Sequence, residues 1–260
     1  MVNAGRRVGT IGLIGFVLAG VLIAPRHIAA LQQPTGPAPW LQLTTVQIEP
    51  SNFDEYITVQ REYAARAKKL ATPGRTVSRT EFGDTNQLVI TSPVQNLASF
   101  DANRAADPEL TAITVRMQRY VRGQQTYMIR MLPEIDNPLP ANQQPNVMVV
   151  NISKVFPGRE QDYLNVMKSD FLPHFNKANF YHVNGTLTFG GDTGFVHIFY
   201  ANNFAKLDEG SPVVKALGAA GAQAVTAKFS GIVASSQQWI TRVIPDLSYP
   251  ASTAAAPARP

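Results

Sequence analysis

No cysteine occurs among the 260 residues. That excludes disulfides, thiol catalysis and cysteine-ligated zinc, and leaves stability to the core alone. Charge is sparse too: Asp, Glu, Lys and Arg make up 16%, and no run of five basic residues exists. Nucleic acid is therefore not an expected partner. Also missing are a G-x-S-x-G elbow, a phosphate loop and a dinucleotide fingerprint. Gly190-Gly191-Asp192-Thr193-Gly194 is glycine-rich but joins two strands, so no helix N-terminus follows it to hold a phosphate. It reads as a hairpin turn. The 45% apolar content is that of a globular chain and excludes wholesale disorder.

What is present begins at the N-terminus. Arg6 and Arg7 precede the apolar run Val8–Ala24, broken only by Gly and Thr, and the small residues Ile28-Ala29-Ala30 follow. This is the pattern of a secretory signal cut after Ala30, giving an exported protein, periplasmic or extracellular. The alternative is an uncleaved anchor, since the 17-residue run reaches the lower edge of the roughly 17–25 needed to span a bilayer. A membrane is a partner only in that case. Without residues 1–30 the chain has 20 basic and 18 acidic residues, a net charge of +2, so the pI of 9.5 overstates its basicity.

The rest is organised by an internal repeat. At a constant offset of 107, Pro50 falls on Pro157, Tyr56 on Tyr163, Val59 on Val166, Phe82-Gly83 on Phe189-Gly190, Leu88-Val89 on Phe195-Val196 and Asp101 on Asp208. The copies end alike, Tyr127 to Ile135 matching Trp239 to Leu247 at an offset of 112. The second copy has therefore gained five residues, placed by its composition in the Ala/Gly-rich stretch 217–224. The expected division is signal 1–30, linker 31–39, first repeat 40–135, proline-rich linker 136–145, second repeat 146–248 and disordered tail 249–260.

Each copy reads β-α-β-β-α-β. Strand-like segments cover 41–48 and 147–155, and an amphipathic helix carries Phe53, Tyr56, Ile57, Gln60 and Tyr63. Its counterpart carries Tyr163, Val166, Met167 and Phe171, and Pro173 is expected to close it. Hairpins follow at 77–91 and 183–200, then helices over 108–122 and from 212 to about 236, then the closing strands. This is the split βαβ, ferredoxin-like order, an α+β class. One copy alone would leave a sheet face bare, which packing the two copies together covers. The tandem resembles the dimeric α/β-barrel superfamily over about residues 40–248, with the repeat acting as an intramolecular dimer; two ferredoxin-like domains side by side are the alternative. The resemblance implies a monomer with pseudo-dimeric repeats. It also admits the chemistry of cofactor-independent monooxygenases and of haem-linked enzymes, although no motif here calls for a cofactor.

Three histidines, His174, His182 and His197, fall in the second copy. His197 shares a strand face with Phe195 and Phe199, and the first copy has Ile90 in its place. It is a candidate base or ligand contact in the barrel interior, or a core histidine bonded to a neighbouring Tyr or Thr. Under the enzymatic reading His197, His182 and Arg242 are candidates for base, ligand and anion clamp. Under the binding reading Tyr163, His197, Phe199, Arg130 and Arg242 contact a small apolar or amphipathic ligand. Arg130 and Arg242 each lie three residues before a proline, and either clamp an anion or sit in structural ion pairs, with Glu134 or Asp246 for example. Metal ligation by the three histidines is not expected, because their spacings match no common ligand pattern. A third possibility is a structural, oligomer-forming module.

Overall fold

The computed structural model describes residues 39–70, 72–101, 107–140 and 143–250. The expected signal, and residues 251–260 of the expected disordered tail 249–260, lie outside the described residues; Tyr249, placed in that tail, is instead buried and paired with Arg75. Eight strands and their helices follow one another as two β-α-β-β-α-β units. The first comprises β1 (Trp40–Ile48), α1 (Phe53–Lys69), β2 (Thr76–Phe82), β3 (Gln87–Val94), α2 (Pro108–Gln118) and β4 (Val121–Met131). The second comprises β5 (Val147–Val155), α3 (Glu160–Val166), a π-helical turn (Met167–Phe171), α4 (Leu172–Lys177), β6 (His182–Phe189), β7 (Gly194–Ala201), α5 (Ala205–Asp208), α6 (Pro212–Ala227) and β8 (Val233–Val243).

The strands form one closed antiparallel barrel in the order β1-β3-β2-β8-β5-β7-β6-β4. Each unit therefore contributes four adjacent strands, and two seams join the units. In one, β2 pairs with β8 from Ser78↔Val243 to Phe82↔Ile240. In the other, β4 pairs with β6 from Met128↔Phe189 to Met131↔Gly185. Closure removes the edges that a single unit would expose. The faces left bare in each unit meet in the lumen, where Leu43, Val89, Ile129, Met148, Val150, Ile152, Val196 and Ile198 pack. The opposite faces carry the helices: Val46, Ile48, Val77 and Leu88 against Tyr56, Ile57 and Ile113 in the first unit, Phe195 and Val155 against Tyr163, Met167 and Val213 in the second.

Local sequence explains most element ends. Asp54 and Glu55 open α1 while Arg66, Lys68 and Lys69 close it, as the helix dipole favours. Asp107 caps α2 by accepting from Leu110 N–H at 2.8 Å, with Pro108 at the first helical position. α6 is 16 residues against 11 for α2, and it is interrupted at Gly218, φ 70°. The connection from α6 to β8 is longer as well, five residues (228–232) against two (119–120) between α2 and β4, so the added length is shared between helix and connector.

Two expectations are corrected. The last helix stops at Ala227 and β8 already runs from Val233. Ser235-Ser236-Gln237-Gln238 is solvent-exposed on both sides, so no apolar alternation marked it as a strand. Pro173 does not end its helix. Lacking an N–H, it cannot bond back to Ser169, and the chain widens to a π turn over Met167–Phe171 before resuming at Leu172.

Gly185 makes the β4–β6 seam possible. A Cβ there would strike the Ile129 side chain and come within 2.7 Å of the Arg130 carbonyl oxygen. Gly185→Ala is expected to cost about 1–3 kcal/mol as overpacking, read as a lower urea midpoint. An unchanged midpoint would mean that the strands do not approach this closely.

Candidate functional site

The helix layer of the second unit holds a polar chain inside an aromatic shell. Tyr163 on α3 and His197 on β7 are 3% and 4% exposed. The Tyr163 O–H donates to His197 Nε2 at 2.7 Å, and His197 Nδ1–H donates to Asn184 Oδ1 at 2.6 Å. Asn184 in turn donates through Nδ2 to the Ile135 carbonyl at 2.6 Å and to Asp136 Oδ1 at 3.0 Å, and through its backbone N–H to the same carboxylate at 2.7 Å. Because the Asn184 amide nitrogen faces acceptors, its oxygen must face His197, which fixes the Nδ1–H tautomer. Phe195 stacks on Tyr163 with ring centroids 4.4 Å apart, and Phe229, Phe171, Phe175, Phe180 and Phe199 continue the shell.

Burial sets the protonation states. It lowers His197 to about 4 and raises Tyr163 to about 12. It also raises the Asp136 carboxyl to about 6, against the two Asn184 N–H groups that favour its charge. His182, on β6 two residues before Asn184, is lowered by burial as well. Its Nδ1 faces the Phe180 carbonyl at 2.7 Å and its Nε2 the Ile135 carbonyl at 3.1 Å. A neutral ring can donate to only one of them; desolvation nevertheless outweighs the second bond.

The candidate residues divide between three places. Tyr163, His197, Phe199 and His182 come together in this layer. His197 points to the helices, not into the lumen: the lumen-facing residues of β7 are Val196 and Ile198. β7 is buried on both faces from Gly194 to Ile198, so the apolar pattern alone could not tell lumen from helix side. Arg130 lies apart, on the β4–β6 seam, with its guanidinium 4.9 Å over the Trp40 ring. Arg242 lies on the other seam, 4.8 Å over Phe204 and bonded through Nε to Glu81 at 2.6 Å. Asp246 pairs instead with Arg61. His174 is half-buried on α4, near Asp170. Among the described residues no three His, Asp or Glu side chains are grouped as metal ligands. None of their helices is long and apolar enough to cross a membrane.

Sequence reasoning missed Asn184 and Asp136 as site members. Asn184 heads an acceptor pattern for glycosylation, but it is 1% exposed within β6. Its strand alternation with His182 was the available signal; Asp136 carried none.

Architecture and strand order define the dimeric α/β-barrel fold, built from two units of a single chain. No protein-family model matches the sequence, and no curated protein does. Solved structures do match. A protein from Fusobacterium nucleatum named a "putative monooxygenase" superposes with a TM-score of 0.58 at 12% identity, covering 80% of this chain and 93% of that one. An "anthrone oxidase-like protein" gives 0.53 at 12% identity over 79% and 91%. A mutant chlorite dismutase from Candidatus Nitrospira defluvii, in complex with cyanide, gives 0.50 at 10% identity over 81% and 92%. At such identities the likeness is one of fold.

Proposed function

We propose that the protein is an exported binding protein that takes a small apolar or amphipathic molecule into the helix layer of its second unit. The observation that carries this reading is one polar chain, Tyr163–His197–Asn184–Asp136, enclosed by phenylalanines. An apolar enclosure with a few convergent polar groups is the usual make-up of a small-molecule site. The π turn supports it, since such turns concentrate at functional sites. Phe171 closes this turn and packs on Phe175 and Phe229, so its displacement opens the layer.

The resemblance also implies oxygenase chemistry, and the residues favour binding over it. His197 Nε2 already accepts from Tyr163, so its lone pair is directed to a phenol whose own pKa burial raises to about 12 and not to a ligand. With a pKa of about 4 it would also be a weak base. Nor can the chain pass a proton on to Asp136, because the Asn184 amide polarises its neighbours without conducting. The buried histidines likewise do not present a nitrogen to a haem iron: both ring nitrogens of His197 are hydrogen-bonded, and both of His182 face backbone carbonyls.

Native mass spectrometry with an absorption spectrum, on protein purified from its exported compartment, tests the proposal. The expected result is a monomer starting at Leu31 that carries a non-covalent small-molecule mass. A bare chain mass, with no thermal shift from any added apolar compound, would overturn it.

A further inference from the structure

The first unit keeps the helix tyrosine but ends its polar chain in a cation. Tyr56, the counterpart of Tyr163, is 2% exposed and accepts from Gln60 Nε2 at 2.8 Å. Gln60 Oε1 accepts from Arg75 Nη2 at 3.0 Å, and Arg75 Nε donates to the Leu247 carbonyl at 3.2 Å. Arg75 is only 9% exposed, with its guanidinium 4.5 Å over the Tyr63 ring and 5.6 Å over that of Tyr249. Burial lowers its pKa. Among the described residues no Asp or Glu pairs with it. Aromatic faces and a carbonyl offset part of the cost of a buried cation, but they do not neutralise it.

The hydrogen-bond inventory points the same way. Among the described residues Arg75 Nη1 and the Tyr63 hydroxyl have no protein acceptor, and as no fully buried side-chain N or O lacks a partner, both atoms keep contact with solvent. The cluster has surplus donors and a positive charge. In the second unit the matching chain ends on its own carboxylate, Asp136; here the carboxylate is what is missing.

We propose that Arg75, with Tyr56 and Tyr63, is a binding site for the carboxylate of a small organic acid with an apolar body. A guanidinium fork matches a carboxylate in geometry and supplies only donors to an acceptor-only group. The rings of Tyr63 and Tyr249 flank the position with apolar surface. The segment after β8 forms the cover: Tyr249 exchanges both backbone hydrogen bonds with Arg75 at 2.9 Å, and Ser248 Oγ accepts from Val77 N–H at 2.9 Å. Access requires the Tyr249 side chain to swing aside, which breaks its 3.1 Å bond to Thr72 Oγ1 but leaves that backbone bridge in place. The site joins Tyr56, Gln60, Tyr63 and Arg75 of the first unit to the segment after β8, and it is independent of the second-unit reading.

Calorimetry on the full chain with benzoate and decanoate, against benzyl alcohol and decanol, tests this. The acids are expected to bind saturably and at least about tenfold more tightly than the alcohols, as a charge-assisted fork requires. Arg75→Met removes that preference, while Arg75→Lys, which keeps charge without the fork, weakens it. Equal binding of acid and alcohol, a preference that survives R75M, or no saturable acid binding below about 10 mM would each overturn the proposal. Should R75M not fold, the Arg75 Nε–H resonance of the wild-type protein decides. A shift on adding benzoate supports the site, and an unmoved resonance while benzoate binds refutes it.

Discussion

Replacing His197 with isoleucine, the residue at the equivalent position 90, is expected to destabilise the protein by about 2–4 kcal/mol. The loss comes from the partners left behind. Tyr163 O–H and Asn184 Oδ1 each lose their acceptor or donor in a layer that water does not reach. An orphaned buried polar group costs about 1–3 kcal/mol, partly offset by the apolar area isoleucine buries. Adding Tyr163→Phe removes one orphan and should recover about 1 kcal/mol in that background, although the same change alone is costly because it strands His197 Nε2. Urea unfolding of the two single variants and the double variant reads this coupling directly. If His197→Ile were as stable as wild type and had lost its ligand, the histidine would be there for binding alone.

The second large effect is on acid stability. His197 titrates near 4 in the folded protein, below its ordinary 6.5. The unfolded chain therefore takes up a proton through 6.5 while the folded chain refuses it until about 4. The stability from the neutral ring is complete above 6.5 and lost as pH falls through 4, about 3 kcal/mol in all. His182 is shifted in the same direction. Asp136 opposes both: raised from 3.8 to about 6, its contribution is complete below 3.8 and lost as pH rises through 6. With its partial solvent contact discounted it amounts to about 1–2 kcal/mol, so the histidines win. Asp136→Asn removes the opposing contribution. That variant should be more stable than wild type by about 1 kcal/mol at pH 7 and equal to it near pH 4, with a steeper fall between. Denaturant titrations from pH 4 to 7.5 would show this; parallel curves for the two proteins would refute the placement of Asp136.

The fold was legible because it is written twice. Tyr56 and Tyr163, or Gly83 and Gly190, keep register over a long stretch, and each copy repeats one order of elements. The site was legible only at the point where the copies differ, with His197 against Ile90. Its partners were not, because they come from far away in sequence. Asp136 sits 48 residues before Asn184, in a stretch whose prolines point only to a connector. Arg75 follows Thr72-Pro73-Gly74, which reads as a turn, and its contact to the Leu247 carbonyl spans 172 residues. Alternation placed His197 with Phe195 and Phe199 but could not say which layer that face meets. The missed residues share one property: their role is set by tertiary neighbours rather than by local period.

Barrel closure has a consequence for the nascent chain. Arg242 and Glu81, which meet across the β2–β8 seam, are separated by 161 residues. When the first unit leaves the ribosome its two outer strands, β2 and β4, are paired on one side only, and their outer edges stay open until β6 and finally β8 have been translated. Long-range pairing of this kind is slow and exposes unpaired strands meanwhile. A truncation before β8 would therefore leave a sheet able to pair with a second molecule.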